Sequence, residues 1–511
     1  MHALNPALAE NSYLASFPHA RRIKRHHHFY LGPTNSGKTH QALLALQQAE
    51  SGVYLAPLRL LAMEIRDRLV AAGVPCNLIT GEERVLMPGA KHTASTIEMM
   101  NPNKKVAVAV IDEIQMLQDP DRGSAWTAAL VGVPAEQVYV CGSTAVTQAC
   151  LGVIQALQES HQISILERKT PLILEENGLC GPRYKKQTLK TRLEKGDAVI
   201  AFSRKDVLTY SARFRLWGYR VATIYGALSP EVRRTEAERF CSGAADILVA
   251  TDAIGMGLNL PIRRIIFSHI HKFDGVASRP LNATEVRQIA GRAGRYGIYD
   301  HGYVTTLEDD ELIHIAHMLA TDDTVHLDKL PIAIAFEAIE RSAAQIPTRS
   351  IAEVLTYQRD RLRIDQPLFA LGGIDQQLTQ AQLVDSHAPD MALKDKYLFA
   401  CAPIALNVPF EKDYFLLCLK SVAQSTTRAL PSAPSWLTNH HAKHLAEAEL
   451  LSHNLSLYAW LGFKFPQIFT DAPLVSGLRQ SVSRYIEQAL LCQTGYGDTS
   501  RELDSLPLKR R

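Results

Sequence analysis

The segment Gly32 to Thr39 has the residue types and spacing needed to bind a nucleotide, since it fills every fixed position of the pattern G-x-x-x-x-G-K-[ST]. Glycines at both ends let backbone N–H groups surround phosphates, and Lys38 adds a positive charge for the β- and γ-phosphates. The hydroxyl of Thr39 is a ligand for the Mg²⁺ that bridges them. The expected nucleotide contacts are Gly32, Pro33, Thr34, Asn35, Ser36, Gly37, Lys38 and Thr39.

An acidic pair supplies the next chemical groups. Asp112 and Glu113 follow the apolar run 106–111, which is typical of a strand buried in a parallel sheet. Carboxylates at the end of such a strand face the phosphates. We therefore expect Asp112 to hold the Mg²⁺ through water and Glu113 to orient and deprotonate the attacking water.

A pair of arginines lies far along the chain from this loop. Arg292 and Arg295 are three residues apart at an expected helix start, so that both project to one side as fingers aimed at a γ-phosphate. Their separation from Lys38 along the sequence is too large for one small domain. The prediction is two α/β domains that clamp ATP and change their separation when it is hydrolysed.

The elements needed to position these residues are visible in the hydrophobic pattern. Apolar strands alternate with helical stretches until about residue 310, and the pattern is mostly helical afterwards. The predicted fold is α/β, with two tandem doubly wound parallel-sheet domains and a mostly α-helical C-terminal region. The expected limits are 1–27 for a basic N-terminal extension, 28–163 and 164–310 for the two domains, and 311–511 for the helical accessory domain. The polar stretch 167–181 is expected to link the two domains.

With these motifs placed, the chain resembles superfamily-two helicases, and within them the mitochondrial-degradosome type of ATP-dependent RNA helicase and its bacterial relatives. The resemblance covers about residues 28–490 and implies RecA-like domains. The segment 112–115 is similar to the DExH box of this family, with Gln115 where many relatives carry His or Asp. The segment 142–145 departs from the subfamily and resembles the Ser-Ala-Thr motif of helicases generally, which couples hydrolysis to unwinding.

The resemblance also implies further site residues. Asp252 and Gly255 would face the nucleotide, and Gln288 would join the arginines as a catalytic group. Motifs that contact nucleic acid in the family contain Pro57, Arg59, Thr80, Gly81, Thr96, Ser203, Thr251 and Phe273. Asp274-Gly275 predicts a hairpin, with Phe273 as the stacking tip of a wedge or with the hairpin as a simple connection.

Composition limits the class of protein. The chain has 46% hydrophobic and 21% charged residues, which is ordinary for a globular protein, and no apolar run reaches the ~18 residues of a membrane span. The net charge of +3 allows nucleic-acid binding, because backbone amides and a few Arg and hydroxyl groups grip a strand locally. Eight cysteines without C-x-x-C spacing indicate buried thiols in a reducing compartment. The expected location is a bacterial cytoplasm, with the mitochondrial matrix as the alternative.

The function implied by the resemblance is an ATP-dependent RNA helicase that uses ATP and Mg²⁺, moves 3′ to 5′ on single-stranded RNA and unwinds duplexes in RNA turnover. The expected partners are single-stranded or partly duplex RNA and an exoribonuclease, with DNA as an alternative, no membrane, and a monomer or dimer as the assembly. Two other interpretations stay open: a nucleotide-controlled RNA-binding scaffold that recruits an exoribonuclease, and a DNA helicase. The C-terminal helices would cover the nucleic-acid channel, dock a partner or stabilise the motor.

Overall fold

The computed structural model describes residues 13–180, 189–255, 259–273, 277–321, 327–334, 336–346, 348–365, 368–406, 408–438 and 442–492. The chain divides into two units, each built around one parallel sheet. The first comprises Met1–Lys169, Asp323–Leu430 and Asn454–Val475, and the second comprises Thr170–Asp322, Pro431–His453 and Ser476–Arg511. Both units therefore take residues from the C-terminal part of the chain.

An eight-stranded sheet forms the centre of the first unit. Its strands are β1 (His26–Leu31), β2 (Gly52–Ala56), β3 (Cys76–Ile79), β4 (Arg84–Val85), β5 (His92–Thr96), β6 (Val106–Ile111), β7 (Ala135–Gly142) and β8 (Ser160–Ile165). Their order is β4-β3-β5-β2-β6-β7-β1-β8, and all neighbours are parallel except β3 and β4. The helices between them are α1 (Pro18–Arg21), α2 (Lys38–Gln48), α3 (Arg59–Ala71), α4 (Gly123–Gly132) and α5 (Thr147–Ala156).

The core of this unit follows from its sequence pattern. Strand β6 is apolar along its whole length and almost wholly buried, as expected for a strand inside a covered parallel sheet. Side chains of α2 and α3 pack with those of β2, β3 and β6 in one hydrophobic cluster. The parallel register places the carboxyl ends of β1, β6 and β7 at one edge of the sheet. That edge positions the predicted phosphate loop and the acidic pair.

The second unit repeats the plan with six parallel strands. They are β9 (Leu172–Leu174), β10 (Asp197–Ile200), β11 (Val221–Ile224), β12 (Ile247–Ala250), β13 (Arg264–Phe267) and β16 (Gly302–Thr306), in the order β11-β12-β10-β13-β16-β9. Strands β14 (His271–Phe273) and β15 (Ser278–Pro280) form a separate antiparallel hairpin. The helices are α6 (Arg204–Leu216), α7 (Pro230–Cys241), α8 (Ala283–Ala290) and α9 (Asp309–Ala320).

The rest of the described chain is mostly helical. It contains β17 (Leu330–Ile332), α10 (Phe336–Ala343), α11 (Ile351–Asp365), β18 (Phe369–Leu371), α12 (Ile374–His387), α13 (Leu393–Ala400), α14 (Pro409–Ala423), α15 (Leu445–Lys464) and α16 (Val475–Leu491). Strands β17 and β18 pair in parallel. Within the ranges that the structure describes, no helix combines the length and the apolar character needed to cross a bilayer.

The fold class predicted from the sequence is confirmed, with local differences. Strand β9 lies inside the stretch predicted as a polar link, because the three consecutive apolar residues Leu172–Leu174 extend the second sheet at its edge. The region after about residue 310 was predicted to be mostly helical, but it also contains the short strands β17 and β18. A strand as short as three residues has too few positions for its alternation to be distinguished from a helical pattern.

Candidate nucleotide and nucleic-acid site

The phosphate loop connects β1 to α2 and depends on glycine at both ends. Gly37 has φ +86°, a left-handed conformation that other residues adopt only with strain. A Cβ on Gly32 would lie 2.2 Å from the carbonyl oxygen of Leu166, so a larger residue does not fit there. A 2.9 Å hydrogen bond from the Gly32 N–H to the Gly142 carbonyl oxygen fixes the point at which the loop leaves the sheet.

Polar groups of the loop are available to phosphates. The Oγ of Ser36 is buried and has no hydrogen-bond partner among the described residues, as expected for a group that receives a ligand. Lys38 Nζ donates to the Pro33 carbonyl oxygen at 3.0 Å, which holds the ammonium over the loop.

The segment after β8 contacts the loop from outside. Arg168 Nη1 donates to the Thr34 carbonyl oxygen at 3.0 Å, and the Lys169 N–H donates to the Asn35 carbonyl oxygen at 3.1 Å. The segment after β8 therefore fixes the outer side of the loop, and the residues present fit a nucleotide phosphate.

Asp112 is held at the end of β6 by donors from three other elements. The Thr39 hydroxyl donates to its carboxylate at 3.2 Å, and the Tyr54 hydroxyl on β2 makes a short hydrogen bond to the same group. Trp126 Nε1 on α4 donates to the Asp112 carbonyl oxygen at 2.9 Å. Burial, reinforced by the negative charge of Glu113, raises the pKa of the Asp112 carboxyl to about 6, against the opposing effect of the Tyr54 hydrogen bond. The structure thus brings together the two predicted metal ligands, Thr39 and Asp112.

Glu113 is positioned by its backbone and by Gln115. It has φ +53°, which is uncommon for a residue with a side chain and re-aims the chain directly after the strand. The amide nitrogen of Gln115 makes a short hydrogen bond to the Glu113 carboxylate. The amide oxygen of Gln115 accepts from the Ser143 N–H at 3.1 Å. One glutamine side chain therefore joins the acidic pair to the 142–145 motif.

The nucleotide-facing residues predicted in the second unit lie close together. Gln288 on α8 is adjacent to Gly255, where an added Cβ would lie 3.4 Å from Gln288 Cγ. Arg292 makes a short hydrogen bond to the Gly255 carbonyl oxygen. Arg295 Nη1 donates to the Asn259 carbonyl oxygen at 3.0 Å. Both arginines are therefore anchored on the loop that follows β12.

The local structure of the arginine motif differs from the prediction. Arg292 and Arg295 were expected at a helix start, but they follow the C-terminal end of α8. The helix begins earlier because Asn282 and Glu285 form a capping box at its first turn. Gly294, with φ +69°, turns the chain between the two arginines. Their side chains are thus positioned by a turn rather than by helical spacing.

The predicted nucleic-acid residues of the first unit follow three neighbouring strands. Pro57 and Arg59 come after β2, Thr80 and Gly81 after β3, and Thr96 ends β5. These strands are adjacent and parallel in the order β3-β5-β2, so the residues lie along one edge of the sheet. Ion pairs at 3.0 and 2.8 Å join the Arg59 guanidinium to the carboxylates of Glu82 and Glu83.

Three predicted contacts lie in the second unit. Ser203 follows β10 and caps α6, where its hydroxyl accepts from the Asp206 N–H at 3.0 Å. Thr251 follows the adjacent β12, and its hydroxyl accepts from the Ala253 N–H at 3.3 Å. Phe273 ends the first strand of the hairpin, and its side chain is 64% exposed. The hairpin predicted from Asp274-Gly275 is present in its strands, while those two residues lie outside the described part of the chain.

Sequence reasoning missed several residues that position the site. Tyr54 lies in the apolar strand β2, and nothing in the sequence pattern of that strand shows that its hydroxyl reaches Asp112. The bridge through Gln115 was also missed, although its unusual position in the DExH box was noted. Arg168 was assigned to the interdomain link. Each contact joins segments distant in sequence, which a strand or helix pattern does not report.

Comparison with known families matches three segments of the chain. The profile for the "DEXQ-box helicase domain of Suv3" matches residues 14–165. The "Helicase conserved C-terminal domain" matches residues 184–297, and the "ATP-dependent RNA helicase SUV3 C-terminal domain" matches residues 445–492. The first of these contains the phosphate loop and the Asp112-Glu113-Ile114-Gln115 box, and the second contains both arginines.

Proteins that are similar to nearly the whole chain are helicases, as are the families that match these segments. Arabidopsis thaliana DExH18, a mitochondrial DExH-box ATP-dependent RNA helicase, is 35% identical over 93% of this chain and 60% of its own length. The mitochondrial ATP-dependent RNA helicase SUV3 of Oryza sativa subsp. japonica is 34% identical over 93% of this chain and 81% of its own. Human SUPV3L1, also mitochondrial, is 35% identical over 93% of this chain and 61% of its own length. The chain thus spans about three fifths of the length of several of these relatives.

These names correct one expectation. A bacterial cytoplasmic location was predicted, and it is wrong, because the relatives that match nearly the whole chain are mitochondrial proteins. The prediction rested on thiols in a reducing compartment, which suit either location. The matched segments, their order along the chain and the relatives together show that the chain belongs to the SUV3 family of ATP-dependent RNA helicases.

Proposed function

We propose that this chain is an ATP-dependent RNA helicase that moves 3′ to 5′ on single-stranded RNA and separates duplexes during RNA turnover. The observation that carries the proposal is the placement of Thr39, Asp112 and Glu113 at one sheet edge, with Gln115 joining Glu113 to Ser143. A site that only bound nucleotide would not need a carboxylate linked to a second motif. Membership of the SUV3 family supports the choice of RNA.

In the proposed reaction Lys38 and the backbone of the loop bind the phosphates of ATP. Thr39 and Asp112 would hold Mg²⁺, which neutralises charge on the phosphates when it is bound. Glu113 orients the attacking water and accepts its proton, while Gln115 keeps the carboxylate in place. Arg292 and Arg295 stabilise the negative charge that develops on the transferred phosphoryl group, and Gln288 supports them.

The nucleic-acid contacts of the proposal are independent of base. Thr96 and Thr251 would donate hydroxyl groups to phosphates, and Arg59 would add a charge when it leaves its glutamate partners. Phe273 would stack on a base at the duplex junction, since an exposed aromatic ring offers a face to every base type. Ser203 would contact the same backbone. The natural partners would be single-stranded or partly duplex RNA and an exoribonuclease, and the assembly a monomer or dimer.

The domain limits drawn from the sequence also remain part of the proposal: 28–163 and 164–310 for the motor domains, and 311–511 for the helical region. Limited proteolysis followed by mass measurement of the fragments tests them. Cleavage concentrated near these limits supports the assignment, and early cleavage inside either sheet opposes it.

Displacement of a labelled strand from matched RNA and DNA duplexes tests the function itself. The duplexes carry a 3′ or a 5′ single-stranded extension, and each is measured with ATP and with a nonhydrolysable analogue. The proposal predicts displacement of RNA with a 3′ extension in ATP alone. Release with the analogue would favour the scaffold interpretation, and preference for DNA would favour a DNA helicase.

A further inference from the structure

The hairpin of the second unit is tied to nucleotide-facing residues by a single lysine. Lys272, in the middle of β14, places its Nζ 2.7 Å from a carboxylate oxygen of Asp252 and 3.0 Å from one of Glu285. Asp252 belongs to the loop after β12 that would face the nucleotide, and Glu285 lies in the first turn of α8. The next residue after Lys272 is Phe273, the exposed aromatic ring of the hairpin.

Glu285, the second carboxylate bound by Lys272, caps the start of the helix that precedes the arginines. Oxygen Oε2 of Glu285 accepts from the Asn282 N–H at 3.0 Å, while the Asn282 side chain accepts from the Glu285 N–H at 2.9 Å. This capping box fixes the start of α8, which carries Gln288 one turn later. A displacement of Glu285 would therefore move the start of the helix that precedes Arg292.

The other strand of the hairpin is attached differently. Arg279 on β15 makes a two-pronged ion pair with Glu285, with N–O distances of 2.9 and 3.0 Å. Burial opposes ionisation of Glu285, but hydrogen bonds from Arg279, Asn282 and Lys272 outweigh it and lower the pKa of this carboxyl to about 2. Arg279 thus anchors the hairpin to α8, whereas Lys272 reaches both α8 and Asp252.

We propose that Lys272 is a positioning residue that couples the nucleotide-facing loop at Asp252 to the hairpin, so that Phe273 moves when nucleotide binds or leaves. The proposal rests on the proposed function, because it assumes that Asp252 faces a nucleotide. The lysine is held by two carboxylates at once, so a change in the position of Asp252 alters the balance of forces on β14. Simple anchoring of the hairpin would need only Glu285.

Arg279 provides the matched control for the experiment. Lys272→Met removes the charge but keeps an unbranched side chain of similar length, and it breaks the contacts with both Asp252 and Glu285. Arg279→Met removes an anchor of the same hairpin on the same glutamate and leaves the Lys272 contacts in place. Lys272→Arg restores a positive charge and serves as the rescue. The melting temperature of each variant is compared with that of the wild type to exclude unfolding.

Hydrogen exchange of the hairpin amides is measured on the full chain with and without a nonhydrolysable ATP analogue, whose binding is followed separately. We expect the analogue to change exchange of the β14 and β15 amides by at least about fivefold in the wild type, in Arg279→Met and in Lys272→Arg, the lower end of a coupling between two sites. Lys272→Met should bind the analogue and show less than about a twofold change.

A response in Lys272→Met equal to that of the wild type would overturn the proposal. Loss of the response in Arg279→Met as well would also overturn it, because removal of any anchor of the hairpin would then abolish the response. A wild type that binds the analogue without any hairpin response overturns the coupling, whether or not it separates strands. A wild type that shows the response but separates no duplex contradicts the helicase function and leaves the coupling standing.

Discussion

The two units hold their reactive side chains in different ways. At the edge of the first sheet, Asp112 and Glu113 are held by side-chain donors from β2, from α2 and from the segment after β6. In the second unit, Arg292 and Arg295 are held by carbonyl oxygens of one loop. The carboxylates thus depend on contacts from several different elements, while the arginines depend on the course of a single turn.

This difference predicts how each region responds to change. Asp112 is buried, so a substitution there leaves polar groups without partners and affects folding as well as chemistry. The arginines are partly exposed on turns, so their replacement should remove chemistry with little effect on stability. Measuring ATPase activity and thermal stability on the same variants tests whether the two units differ in this way.

The largest loss is expected at the arginines. Replacing Arg292 or Arg295 by Ala should lower RNA-stimulated ATPase by roughly 10³-fold or more, the scale associated with an arginine finger. Steady-state phosphate release measures it, with thermal unfolding of the same samples. Arg220→Ala, which removes a surface ion pair with Asp246 in the same unit, is the control and should retain activity. Normal ATPase in both finger variants would refute their catalytic role.

Glu113→Gln should lower hydrolysis by about 10²–10⁴-fold, because the water loses its base. Binding of ATP should remain, since the phosphate loop is untouched, whereas Lys38→Ala should weaken binding itself. A fluorescent ATP analogue reports binding, and phosphate release reports turnover. Glu136→Gln, on the exposed surface of β7, serves as the control. Wild-type turnover in Glu113→Gln would assign the base to another residue.

A smaller effect is expected where the glutamine joins the two motifs. Gln115→Ala should reduce kcat by roughly 10- to 150-fold, because a hydrogen bond to a charged group contributes ~1.5–3 kcal/mol and ~1.4 kcal/mol corresponds to tenfold. KM for ATP should change little. Gln118→Ala is the matched control, since the amide nitrogen of Gln118 has no partner among the described residues. Equal kinetics in the two variants would reduce Gln115 to a packing residue.

The smallest effect is expected for Thr251, which is proposed to donate a hydrogen bond to a nucleic-acid phosphate. Thr251→Val should weaken RNA stimulation of the ATPase by roughly two- to tenfold for every sequence alike, as expected for a neutral hydrogen bond worth ~0.5–1.5 kcal/mol. Basal hydrolysis should remain. The stimulation is measured with several homopolymers. A loss confined to one base, or no loss, would mean that the Thr251 hydroxyl serves only its local bond to the Ala253 N–H.

The sequence predicted most of the framework and less of the site. The six-residue apolar run of β6 and the phosphate loop after β1 were identified because each is a local pattern. The turn carrying Arg292 was misjudged, since a helix start and a helix end share arginines and small residues, and the capping box lies at Asn282, ten residues earlier. The contacts of Tyr54 and Lys272 could not be found, because they join elements that are separated in the sequence and are brought together only by the fold.

Simultaneous measurement of phosphate release and strand displacement on one RNA duplex with a 3′ extension tests most directly whether hydrolysis at the first sheet drives unwinding. If hydrolysis drives unwinding, the two rates rise together with ATP concentration. The Glu113→Gln variant should then bind ATP and RNA but displace no strand. Displacement that persists in Glu113→Gln without phosphate release would contradict the account, since nucleotide binding alone would then separate the strands.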